Sequence, residues 1–201
     1  MRRLLQRIVG AAAALSGLSL LASCVAYSLH PLYDAKSSVF EPSLVGTWVD
    51  PMQNNKPTMK FEKLGENAYT VTAIEFDGNP PYDAIFEAHA VKLGGRLFLD
   101  AVNTKNRAKG IEMNAGMAIP SHLIGRVTVD GDTLHLDLLS DSWLEDGFKT
   151  GRITIAHELV DDSADSDVLL TASTAELQKF VADHANDDNA FPPSDPLKRL
   201  K

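Results

Sequence analysis

The chain has 201 residues, 44% of them apolar and 23% charged, with a single cysteine and a formal net charge of −8. That length supports one core of good size, and the apolar content excludes a disordered chain. An acidic balance without clustered Lys and Arg excludes nucleic acid as a partner, and one cysteine excludes an internal disulfide.

Arg2, Arg3 and Arg7 precede the first acidic residue, Asp34, and are followed by an apolar stretch from Ile8 to Leu21. At helical rise this stretch covers about 21 Å, short of a bilayer core of about 30 Å. Residues 1–23 therefore read as a signal peptide rather than a transmembrane helix. The segment ends in Leu21-Ala22-Ser23-Cys24, which resembles the lipobox of bacterial lipoproteins at all four positions. That resemblance implies diacylglycerol on the Cys24 thiol, cleavage just before it, and acylation of the new amino group. Two or three acyl chains anchor a protein stably where one is marginal. Losing the three arginines takes the net charge from −8 to −11, so the lipid rather than a basic patch must provide attachment. Val25 stands where aspartate commonly signals inner-membrane retention, which by the same resemblance implies export to the outer membrane, with its periplasmic face the expected location.

Residues 24–44 lack periodicity and carry His30-Pro31 and Glu41-Pro42, so a tether is expected, in part packed through Leu32, Tyr33 and Phe40. From Val45 to Thr171 short alternating runs dominate. Met59 and Phe61 form one, Tyr69, Val71 and Ala73 another. Val91 and Leu93 lead through Gly94-Gly95 to Leu97 and Leu99, and Val127 and Val129 through Asp130-Gly131 to Leu134, Leu136 and Leu138. Both are hairpin signals. Ile153, Ile155 and Leu159 mark a further strand, and Val168 to Thr171 a last one. The pattern predicts a mainly β, antiparallel domain over 45–185, a barrel or sandwich of about 8–10 strands. Residues 140–148 are expected as a short helical turn. Ser173-Thr174-Ala175-Glu176 is a capping-box sequence opening a C-terminal helix over 174–185. The Pro-rich tail, 186–201, is expected along the surface or disordered.

Gly46-Thr47-Trp48 sits at the start of the first expected strand and resembles the G-x-W of lipocalin-like barrels. In that family the tryptophan closes the barrel floor against a late arginine. The resemblance implies such a contact for Trp48, with Arg152 the nearest candidate and Arg126 the other. A ligand cavity, if the barrel is hollow, would be lined by Trp48, Phe61 and Tyr69. Some small barrels are instead filled by side chains.

No nucleophile elbow, phosphate-binding glycine loop or Ser-x-x-Lys motif occurs, so no catalytic residue and no cofactor is assigned. His157-Glu158-Leu159-Val160-Asp161 misses a zinc-protease helix, with aspartate in place of the second histidine and strand-like surroundings. Glu87 with His89, and His135 with Asp137, each share a strand face and would meet only if their strands paired. The solvated half of an amphipathic strand accounts for them without a metal. Asp161, Asp162, Asp165 and Asp167 crowd one turn but miss an EF-hand. Lys105, Arg107 and Lys109 precede an apolar run from Ile111 to Ile119, read as a loop, a lid or a further strand.

These residues together predict a lipid-anchored envelope lipoprotein whose β-domain binds a small apolar ligand or a partner protein. The alternatives are an assembly accessory of an envelope complex and, last, a metal-dependent hydrolase using His89 and His135.

Overall fold

The computed structural model describes residues 25–54, 56–76, 82–106, 120–160 and 167–201. Cys24 and the signal segment, residues 107–119, and the acidic turn 161–166 lie outside them. In chain order the strands are β1 (Tyr27–Ser28), β2 (Ser38–Val39), β3 (Gly46–Asp50), β4 (Lys56–Leu64), β5 (Ala68–Phe76) and β6 (Tyr82–Leu93). Then follow β7 (Arg96–Asn106), β8 (His122–Asp130), β9 (Thr133–Leu138), helix α1 (Asp141–Lys149), β10 (His157–Val160) and β11 (Asp167–Leu170). Helix α2 (Thr174–Asp183) and strand β12 (Leu197–Arg199) complete the chain.

Strands β3 through β9 form a meander, and β12 closes it by pairing β9 on one side and β3 on the other. Every neighbouring pair in this eight-strand ring is antiparallel. The molecule is therefore a closed barrel, not a sandwich. Closure removes the free edges that an open sheet would expose. The β6–β7 hairpin turns on Gly94 and Gly95, both at positive φ (55° and 76°), as a two-residue turn of this hand requires. In the β8–β9 hairpin the turn residues are Gly131 and Asp132, one position later than Asp130-Gly131, because Asp130 still pairs with Thr133.

Alternation divides the apolar residues between two cores. Trp48, Phe61, Tyr69, Val71, Ala88, Ala90, Leu99, Val127 and Leu134 pack inside the barrel. Val91, Phe98 and Ile124, one residue out of phase, face outwards. They join Leu144, Ile153, Leu177, Val181 and Phe191 in a second core beneath the two helices. Helix α2 carries the expected capping box, with the Ser173 hydroxyl accepting from the Glu176 N–H and the Glu176 carboxylate accepting from the Ser173 N–H.

Two segments expected outside the barrel, a partly packed tether and a tail along the surface or disordered, belong to the domain. Residues 25–44 do not form a tether: β1 pairs with β8 and β11, β2 pairs with β6, and Leu32 and Leu44 are fully buried. They pack through single side chains and two-residue strands, which leave no periodicity to read. Nor does the tail lie loose. Arg126, buried on β8, binds Asp137 at 3.0 Å, Asp188 at 2.9 Å and the Phe191 carbonyl at 3.0 Å. Those bonds hold the chain against the outer face and return it to the barrel as β12.

Candidate functional site

Trp48 enters the barrel from β3 and is fully buried, its indole N–H donating to the Leu44 carbonyl at 3.0 Å. The cation above its ring is Arg199, 4.2 Å from the ring centre. Arg199 faces Trp48 across the β12–β3 ladder and donates to the Val45 carbonyl at 2.7 Å and to the Ser43 carbonyl. Gly46 lies beneath the same guanidinium. A Cβ built there would stand 2.6 Å from an Arg199 nitrogen, and the backbone already holds φ at +139°. The Gly46, Trp48 and late-arginine arrangement is thus present, but with Arg199 as the arginine.

Arg152 does not reach Trp48. It lies over Trp143 at 4.9 Å and donates to the Trp143 carbonyl at 3.3 Å, beside helix α1. Arg126, the other candidate, is committed to Asp137 and Asp188 on the outer face. Arg199 was missed because a three-residue strand after three prolines shows no alternation, and the tail offered no reason to return to the barrel.

Trp48, Phe61 and Tyr69 do not line a cavity. Their exposures are 0%, 1% and 0%, so these rings face no space a water molecule could enter. Phe61 meets Tyr69 edge-on at 6.2 Å, and Tyr69 stacks on Phe40 at 5.3 Å. The Tyr69 hydroxyl donates to the Glu41 carbonyl at 3.1 Å and accepts the Glu41 N–H at 2.6 Å, so it too is occupied. Burial raises the Tyr69 phenol above its usual pKa. Opposite these rings, Gly125 admits Leu136 and Leu138 so closely that a Cβ would stand 2.8 Å from Leu136. An open groove of about 350 Å³ lies at the end of the β6–β7 hairpin, lined by Glu41, Ser43, Arg96, Leu97 and Thr128 among others. Arg96, its cation, already donates to Asn186 at 2.8 Å.

The polar side chains of the outer face gather differently from the pattern expected. Glu87 and His89 do share a face and bond at 3.2 Å. His135 sits on β9, three strands away from β6, opposite Thr128. At about 4.8 Å per strand spacing, His89 and His135 do not converge. His89 instead stacks on Tyr33 at 3.7 Å, and Tyr33 meets His122 edge-on at 6.4 Å. Asp100, fully buried on β7, binds His122 Nδ1 at 2.6 Å and accepts the Leu32 N–H. The pair resembles the orienting half of a catalytic triad, but the neighbouring hydroxyl, Ser28 on β1, donates to the His30 carbonyl at 2.7 Å. Chemically, the cluster pins residues 28–33 onto the barrel wall. Burial first, then the Asp100 and Glu87 carboxylates, raise the Tyr33 phenol above its usual range. His157 and Glu158 stand on β10, a strand and not a helix, with His157 stacked on Phe148 at 3.4 Å. Among the described residues, no three His, Cys, Asp or Glu side chains are placed to hold a metal ion.

The chain matches no protein-family model, and comparison with curated proteins and with solved structures finds no match for it.

Proposed function

We propose that this chain is a lipid-anchored lipoprotein of the bacterial cell envelope, whose barrel is a non-enzymatic binding module held at the periplasmic face of the outer membrane. The observation that carries this reading is Leu21-Ala22-Ser23-Cys24 at the end of a short apolar stretch headed by Arg2, Arg3 and Arg7. In this reading the acyl chains on Cys24 provide the attachment; no helix among the described residues is long and apolar enough to cross a membrane. Within the reading, the occupied rings of Trp48, Phe61 and Tyr69 favour a partner protein over a small apolar ligand inside the barrel. The outer face then offers the binding surface, and the role merges with that of an assembly accessory.

Metabolic labelling with an alkyne fatty acid tests the anchor. The wild-type chain incorporates the label and stays in carbonate-washed membranes, whereas Cys24→Ala loses both properties. A Cys24→Ala protein that remains membrane-bound overturns the reading. Native mass spectrometry of the detergent-extracted protein then separates the occupants: a mass increment of protein size supports a partner, one of lipid size a ligand.

A further inference from the structure

We propose that the barrel rests directly on the bilayer through the free edge of strand β10, with Leu159 and Val160 dipping into the headgroup layer beside the acyl chains. This rests on the lipid anchor proposed for Cys24. The residue after that cysteine is already bonded into the fold. Val25 bridges Ser140, and the Ala26 N–H donates to the Leu139 carbonyl at 3.1 Å, with Ala26 only 2% exposed. Acyl chains on Cys24 would therefore emerge within one residue, about 4 Å, of an ordered surface.

Among the described residues, the sheet next to that point ends in an unpaired edge strand with two exposed apolar side chains. β1 pairs in parallel with β11, Tyr27 opposite Leu169, and β11 pairs with β10, Leu159 opposite Val168 and Val160 opposite Asp167. Running back from Tyr27 towards Val25 thus runs towards Asp167, and across the ladder towards Leu159 and Val160. Two strand spacings separate β1 from β10, about 10 Å. The neighbourhood is tied together by Asp141, the residue after Ser140, which accepts the Val168 N–H at 2.7 Å. Leu159 and Val160 are 54% and 51% exposed, and among the described residues β10 pairs only with β11.

Physical limits set the depth. Adjacent strand residues point to opposite faces, so the edge meets the bilayer end-on with one apolar side chain on each side. Its outward N–H and C=O groups need water and cannot enter hydrocarbon, so contact stops at the headgroups. Exposed Glu158 and Asp167 lie beside the pair, Asp161, Asp162 and Asp165 follow it in sequence, and the processed chain carries −11, so the contact suits a zwitterionic surface and not an anionic one.

The lone native thiol is consumed by lipid in a processed chain, which makes an introduced cysteine the only labelling site. The full chain carrying Leu159→Cys is labelled with an environment-sensitive fluorophore and reconstituted by its own anchor into phosphatidylcholine vesicles. Leu64→Cys, 41% exposed in the β4–β5 hairpin, is the control. At position 159 the emission shifts to the blue relative to detergent solution and is quenched by headgroup-labelled lipid. At position 64 neither occurs. Membrane-bound protein in which position 159 behaves like position 64 overturns the docked edge while leaving the anchor intact. A blue shift that persists in detergent and grows with protein concentration assigns the edge to a second copy, and also overturns it. Protein recovered without acyl mass overturns the anchor, and the docked edge falls with it.

Discussion

At the scale of single residues, the closure of the barrel is a contact between Trp48 and Arg199, and Gly46 is the space that lets it form. The tryptophan supplies buried area and a negative ring face, and the arginine donates to the Ser43 and Val45 carbonyls. Trp48→Ala is expected to cost about 3–5 kcal/mol, the range for emptying a large aromatic site. Arg199→Ala should cost less, and the double mutant less than the sum of the singles by about 0.5–3 kcal/mol. Arg152→Ala, which acts on Trp143, should add to Trp48→Ala without coupling. Urea melts of the wild type, the three single mutants and the two double mutants decide this. Additivity of Trp48 with Arg199, or coupling with Arg152, contradicts the geometry.

At the scale of elements, helix α2 shows how local sequence and packing cooperate. Ser173 and Glu176 satisfy each other's backbone N–H groups, while Leu177 and Val181, one turn apart, are fully buried against the barrel wall. Ser173→Ala should lower stability by about 0.5–2 kcal/mol, measured as a shift in the denaturation midpoint with unchanged slope. An unchanged midpoint would mean that the Ser173 cap contributes nothing to holding α2. Strand β12 is the opposite case. It has little of its own to favour a strand, yet it completes the barrel because the Arg126, Asp137 and Asp188 network delivers it there. Arg126 and Asp137 are buried while Asp188 is exposed, so removing Arg126 or Asp137 leaves a buried unpaired charge, a costlier loss than that of the surface partner Asp188.

At the scale of the whole molecule, carboxylates set the response to acid. Hydrogen bonds hold the carboxyl pKa values of Asp34, Glu41, Glu176 and Asp187 below the usual carboxylate range, through Ser37, Ser43, Ser173 and Asn189 respectively. Their folded values lie below their unfolded ones, so their contribution is present above the ordinary carboxylate range and disappears as pH falls through the folded values. Asp141 has the opposite sign. Burial raises its carboxyl, so its charged form opposes folding at neutral pH and the cost is relieved on protonation. Asp141→Asn keeps an acceptor for the Val168 N–H while removing the charge. The variant should equal or exceed wild-type stability at pH 7, and the difference should shrink as pH falls. A variant that gains on wild type as pH falls would reverse the assigned sign.

The sequence by itself determined whatever depends on near neighbours along the chain. Period-two runs such as Tyr69, Val71 and Ala73 placed a strand and its inward face. Gly94-Gly95 placed a turn, and Ser173 with Glu176 placed a helix start, because each signal lies within a few residues. Glycine, one residue and tryptophan were legible as a motif for the same reason. Only the tertiary structure decided which arginine covers Trp48, that His89 pairs with Tyr33 rather than His135, and that Asp100 and His122 hold residues 28–33 in place. It also decided that the segments on either side of the barrel belong to it. These choices join residues as far apart as Ser43 and Arg199, and they follow from strand order and closure. No local periodicity records that order, because a short strand gains its stability from the neighbours it pairs with, not from its own residues.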